Sequence, residues 1–137
     1  MNPQHAYRQT YTPGWTRADM LLALFDGAVD RLELAADAFR TNRRMEALRL
    51  LTRAELIVCQ LASGVDPAYP RGAAYLRLYT LASRAISAAT LEETESALRI
   101  LRTLRESIAR IRDEAVRLER EGELPPVQDP KLVSAIA

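Results

Sequence analysis

Reactive side chains are scarce in this chain. Its 137 residues include one histidine, His5, and one cysteine, Cys59. A single cysteine excludes an intramolecular disulfide framework and suits a reducing compartment. These two residues cannot between them build a metal site or a catalytic triad. Di-iron bundles need Glu-x-x-His on facing helices, and a haem attachment site needs paired cysteines followed by histidine. Phosphate-cradling glycine loops and nucleophile elbows are also missing. The sequence therefore predicts no catalytic, cofactor-binding or metal-ligating residues, and reads as a binding protein, not an enzyme.

Charge of one sign is missing too. Nineteen basic and 18 acidic residues give a net charge of +1, without the basic footprint of a nucleic-acid-binding protein. No segment approaches the roughly 18 uncharged apolar residues of a membrane span, so no membrane insertion is expected. Met1 to Tyr11 is polar and has no signal-peptide core. These features predict a soluble, cytoplasmic protein with one main folding unit. Cys59, inside the run Leu56 to Leu61, is expected as a small buried hydrophobe.

What is present is helical periodicity. Residues 16–121 read as four amphipathic helices, an all-α antiparallel up-down bundle with an extended N-terminal arm. The arm, residues 1–15, holds Pro3, Pro13 and Gly14 together with Tyr7, Tyr11 and Trp15. Its aromatic content predicts docking onto a surface, since a purely disordered leader is poor in aromatics. Thr16-Arg17-Ala18-Asp19 is a helix start. The first helix runs to about Arg40, with Leu21, Leu24, Phe25, Ala28, Leu32, Ala35 and Phe39 on its stripe and Gly27 inside it, a mark of close packing.

The second helix spans about Arg43 to Ser63, with Ala47, Leu48, Leu51, Ala54, Val58 and Leu61 on one face and Leu50 and Ile57 on the next. Gly64 is expected to close it in the left-handed conformation. Asp66 to Pro70 is an extended or turning connection. The third helix, about Gly72 to Ala89, carries Tyr75, Leu78, Tyr79, Ala82 and Ile86. The fourth begins near Thr90 and carries Leu98, Leu101, Leu104, Ile108, Ile111, Ala115 and Leu118. Its opposite face pairs Glu95 with Arg99, Glu106 with Arg110 and Asp113 with Arg117, each acid four residues before its base, as on a solvated surface. Residues 122–137, with Pro125, Pro126 and Pro130, form a tail.

A remote enzymatic alternative remains. Helical bundles of the chorismate mutase type clamp a dicarboxylate with arginines and a glutamate, and Arg31, Arg53, Arg84 and Glu55 are residues of those types.

The ordered pieces Ala6-Tyr7-Arg8-Gln9, Thr16 to Asp19, and Leu21-Leu22-Ala23-Leu24-Phe25-Asp26-Gly27-Ala28-Val29 resemble the flagellar secretion chaperone family FliS. The resemblance continues through Arg53 to Ile57, Leu61 to Asp66, Leu78-Tyr79 with Arg84, and Leu101 to Arg105. It covers about residues 6–115. Arg17 stands where the family has proline, Phe25 where it has tyrosine, and Ile108 where many members have tryptophan. The resemblance implies an export chaperone without cofactors. Such a protein binds the disordered C-terminal segment of flagellin, prevents premature polymerisation, and delivers the subunit to the flagellar type III export gate.

On that basis Tyr7 and Tyr11 would form a displaceable arm. Leu51, Ile57 and Val58 would offer apolar contacts from the second helix, and Tyr75, Leu78 and Tyr79 would line the neighbouring face. Periodicity does not separate inward from groove-facing positions among them. A different bundle that binds a regulator or its own copy is the alternative, with the chain a monomer or weak homodimer.

Overall fold

The computed structural model describes residues 17–121. The arm with Tyr7 and Tyr11, the Thr16 cap and the tail from Gly122 lie outside the described residues. Four helices follow one another: α1 (Arg17–Arg40), α2 (Arg44–Ser63), α3 (Pro70–Ala88) and α4 (Leu91–Arg120). They pack in a ring, α1 on α2, α2 on α3, α3 on α4 and α4 on α1. The diagonal pairs α1–α3 and α2–α4 touch far less. Connections of this length leave sequential neighbours antiparallel, so this is an up-down four-helix bundle.

Each helix end has its own physical cause. α1 closes with Asn42 in the left-handed region (φ 58°). The Arg43 N–H donates to the Ala38 carbonyl at 2.8 Å and the Asn42 N–H to Phe39 at 3.2 Å, the paired bonds of a Schellman motif. Gly64, expected to be left-handed, instead has φ −87°. There α2 tightens, and the N–H groups of Gly64 and Val65 donate to the carbonyls three residues back.

α3 starts at Pro70, two residues before the sequence expectation. Proline suits a first helical position because its missing N–H would have no helical partner anyway. Asp66 shapes the turn before it, its side chain accepting from the Ala68 N–H at 2.9 Å. α4 opens on Thr90, whose hydroxyl accepts from the Glu93 N–H at 3.1 Å.

The core holds Phe25, Ala28, Leu32 and Ala35 from α1; Leu50, Leu51, Ala54, Val58 and Leu61 from α2; Tyr75, Tyr79, Ala82 and Ile86 from α3; and Leu98, Leu101, Leu104 and Ile108 from α4. Alanines at the contacts let the helix axes approach closely. Full burial of Phe25, Leu32, Leu61 and Leu101 contributes about 1.5–3 kcal/mol each. Leu21, Leu24, Leu48 and Phe39 pack on the rim of this cluster.

The α1–α4 seam is lined by ion pairs that cross between helices. Asp19 meets Arg112 at 2.9 Å, Asp26 meets Arg105 at 2.5 Å, Glu33 meets Arg102 at 2.5 Å, and Arg40 meets Glu95 at 2.8 Å. The α1 members recur every seventh residue while their α4 partners descend, the signature of antiparallel helices. The expected pairs Glu95–Arg99 and Asp113–Arg117 are replaced by others. Glu95 turns to α1, Arg99 bonds Ser96, and Arg117 pairs with Glu114 and Glu121. Glu95, Arg102, Arg105 and Arg112 make one side of α4 half of the seam with α1.

Candidate partner-binding surface

The structure divides the residues selected from sequence into three groups. Tyr7 and Tyr11 lie outside the described residues. Leu51, Val58, Tyr75 and Tyr79 are core residues. The Tyr79 ring lies 6.1 Å from Phe25 and 6.3 Å from Tyr75, both tilted contacts. Burial pushes both phenols above the ordinary tyrosine range, Tyr79 furthest, with Arg71 opposing the shift at Tyr75. These four hold the bundle together and present no open face to a partner. Ile57 is partly buried on the α1-facing flank of α2, and Leu78 is 36% exposed.

Helical phase explains the division. Leu51, Val58, Tyr75 and Tyr79 share the stripes of Ala54 and Ala82, which face the centre. Leu78 is one residue before Tyr79, and so is rotated about 100° from it toward the α4 side of α3.

Other exposed apolar side chains escaped the sequence reading. They are Leu34 on α1, Met45 and Leu56 on α2, Tyr69 at the start of α3, and Leu81 on α3. Each is out of phase with the apolar stripe of its own helix, and that mismatch was the available signal. Met45 and Leu56 share the outer ridge of α2, each 66% exposed. Leu78 and Leu81 are one turn apart. The α2–α3 half of the bundle thus carries five of the six large exposed apolar side chains, and the described part of α4 carries none.

A small polar cluster ties α2 to α3. The Ser83 hydroxyl donates to Glu55 Oε1, and the Cys59 thiol lies 3.7 Å from the same oxygen. Glu55 Oε2 is buried without a partner. Cys59 is exposed, which corrects the expectation of a buried hydrophobe. Its neighbours Val58 and Leu61 take the inward positions of that turn. Partial loss of hydration, then the Glu55 carboxylate, pushes the thiol above its usual range.

The four residues of the enzymatic alternative do not converge. The Arg31 guanidinium donates to the Gly27 carbonyl at 2.9 Å, Glu55 is held by Ser83, and Arg53 and Arg84 are exposed on separate helices. Among the described residues no group of three or more histidine, cysteine, aspartate or glutamate side chains is placed to hold a metal ion. No described helix is long and apolar enough to cross a membrane.

No curated protein and no solved structure matches the chain significantly. A family model does: that of the flagellar protein FliS matches residues 1–117.

Proposed function

Because the chain belongs to the flagellar protein FliS family, a family of flagellar export chaperones, we propose that it holds the disordered C-terminal segment of flagellin against its apolar surface. Bound there in the cytoplasm, the segment cannot polymerise prematurely, and the subunit is kept in a form the flagellar type III export apparatus can accept. The observation that carries this reading is the concentration of exposed large apolar side chains on α2 and α3: Met45, Leu56, Tyr69, Leu78 and Leu81. Isolated exposed leucines are ordinary, but several on one helical hairpin suit an extended or helical segment laid across successive ridges. Ordering that segment opposes binding, so apolar burial has to exceed its entropy cost.

The test compares surface and core variants. Leu78→Glu and Leu56→Glu should retain wild-type helicity and bind the cognate flagellin C-terminal segment at least about tenfold more weakly, a loss of roughly 1.4 kcal/mol or more. Val58→Glu should instead unfold the bundle, because it places a charge in the core. Isothermal titration beside circular dichroism separates the two effects. Wild-type protein that forms no complex with the segment would overturn the reading.

A further inference from the structure

The two flanks of α4 differ in kind. Toward α1 stand Glu95, Arg102, Arg105 and Arg112, each in an ion pair across that seam. Toward α3 stand Ile100, Thr103, Ser107 and Ile111, at helical spacing and without a formal charge. On α3, Ser83 marks the flank that meets α2, through Glu55. The flank turned to α4 carries Ala74, Leu78, Leu81 and Ala85, again without charge. Among the described residues no ion pair crosses between α3 and α4. Two helices packed side by side leave a trough between them. In this one Leu78 and Leu81 keep 36% and 50% of their surface, and Ile100 rests against the core.

Both rims of the trough are basic. Arg77 and Arg84 stand one turn before and one turn after Leu81, and Arg99 and Arg110 stand one turn before and two turns after Thr103. All four are exposed, and none is in an ion pair among the described residues. Arg99 donates to the Ser96 hydroxyl at 3.0 Å. α3 contains no acidic residue. Glu106 and Asp113, the acids either side of Arg110, are rotated from it by about 40° and 60° toward α1. Glu93 and Glu114, on the α3 side of α4, stand toward its two ends, and Glu114 is taken by Arg117. A helix laid in the trough therefore meets apolar side chains below it and guanidinium groups along both edges.

We propose, on the reading that flagellin's C-terminal segment is the partner, that the stretch held here is an amphipathic helix whose apolar stripe is bordered on both sides by aspartate or glutamate. Arg77, Arg84, Arg99 and Arg110 select it. The leucines alone would accept any apolar helix, whereas rim charges reject a basic one of equal hydrophobicity. Such exposed charges act on specificity and on the rate of encounter.

Fluorescence anisotropy of a labelled peptide of the cognate flagellin C-terminal segment, titrated with the full chain, tests the proposal. Raising salt from about 0.05 M to about 0.5 M should weaken binding at least about fivefold. Arg77→Glu/Arg110→Glu should weaken it at least about tenfold while keeping wild-type helicity. Arg49→Glu/Arg53→Glu makes the same change of charge on the α1 side of α2, away from the trough, and should alter binding less than about twofold. A peptide with asparagine and glutamine in place of its acids should bind wild type at least about tenfold more weakly, and should no longer distinguish wild type from the Arg77/Arg110 variant. Should that variant lose helicity, Arg77→Gln/Arg110→Gln must weaken binding about threefold in its place. Binding that ignores salt, the arginine substitutions and the neutralised peptide would overturn the acidic selection and leave the chaperone reading standing. A peptide that does not bind wild type at all would overturn both.

Discussion

Gly27 and Gly72 look alike in the sequence, yet their surroundings give them opposite expectations. A Cβ on Gly72 would sit 2.1 Å from the Asp66 carbonyl oxygen, inside the turn that leads into α3. Gly72→Ala must therefore displace backbone, at a cost of about 1–3 kcal/mol. A Cβ on Gly27 would meet Arg31 Nη1 at 3.4 Å and Ile57 Cδ1 at 3.5 Å, ordinary contacts. Gly27→Ala should be neutral or stabilise by up to about 1 kcal/mol, because alanine loses less backbone entropy in a helix. Urea melts of both variants check the pair, and equal effects would contradict the distinction. The exposed Cys59 permits a second measurement. Its thiol is pushed up by partial desolvation and by Glu55, so the thiolate is scarce near neutral pH. Glu55→Gln removes the negative charge and should speed alkylation of Cys59 several-fold at pH 8. An unchanged rate would clear Glu55 of that role. The sequence marked Cys59 as an unusual residue but placed it inside, because an apolar run does not state which of its members the next helix covers.

The helices themselves were legible because their apolar stripes repeat at helical spacing, and the boundaries at Arg40, Ser63 and Ala88 fall at or within one residue of the expected places. The ends differ in chemistry. Asn42 accepts the left-handed conformation readily, while Ala89, at φ 56°, pays about 1 kcal/mol for its Cβ. Pairing between elements was not legible. Acid–base spacing of four residues along α4 pointed to Glu95–Arg99 and Asp113–Arg117, but Glu95 meets Arg40 of α1 and Arg117 takes Glu114 and Glu121 instead. A charged face can be read from one helix, whereas its partners depend on which helix lies alongside. These seam pairs are solvent-exposed, which limits their worth. A double-mutant cycle on Glu33 and Arg102 should give a coupling below about 1 kcal/mol that shrinks as salt is added. A coupling of several kcal/mol would mean that this seam, not the core, holds α4 in place.

At the scale of the whole molecule, stability rests on one core and should fail in alkali. Tyr75 and Tyr79 are buried, and burial raises both phenols above the unfolded tyrosine value of about 10. The folded state therefore keeps protons that the unfolded state releases. Stability is fully present below about pH 10 and falls as the pH climbs beyond it. Phenolate absorbance near 295 nm should show a component that appears together with the loss of helical circular dichroism. Ionisation of these residues without unfolding would contradict their burial. The same core placement explains why candidate partner-binding residues were harder to read than the fold. Leu51, Val58, Tyr75 and Tyr79 had the right chemistry for an apolar groove, but four helices closing on one axis buried them. Leu34, Met45, Leu56 and Leu81 looked incidental, and that closure left them outside. The sequence by itself determined the all-helical architecture and the family. Period, residue type and motif order are properties of one chain read locally. Only the tertiary structure decided which apolar residues are core and which are surface, and which charges meet across a seam. Those outcomes depend on the rotation of each helix against its neighbours.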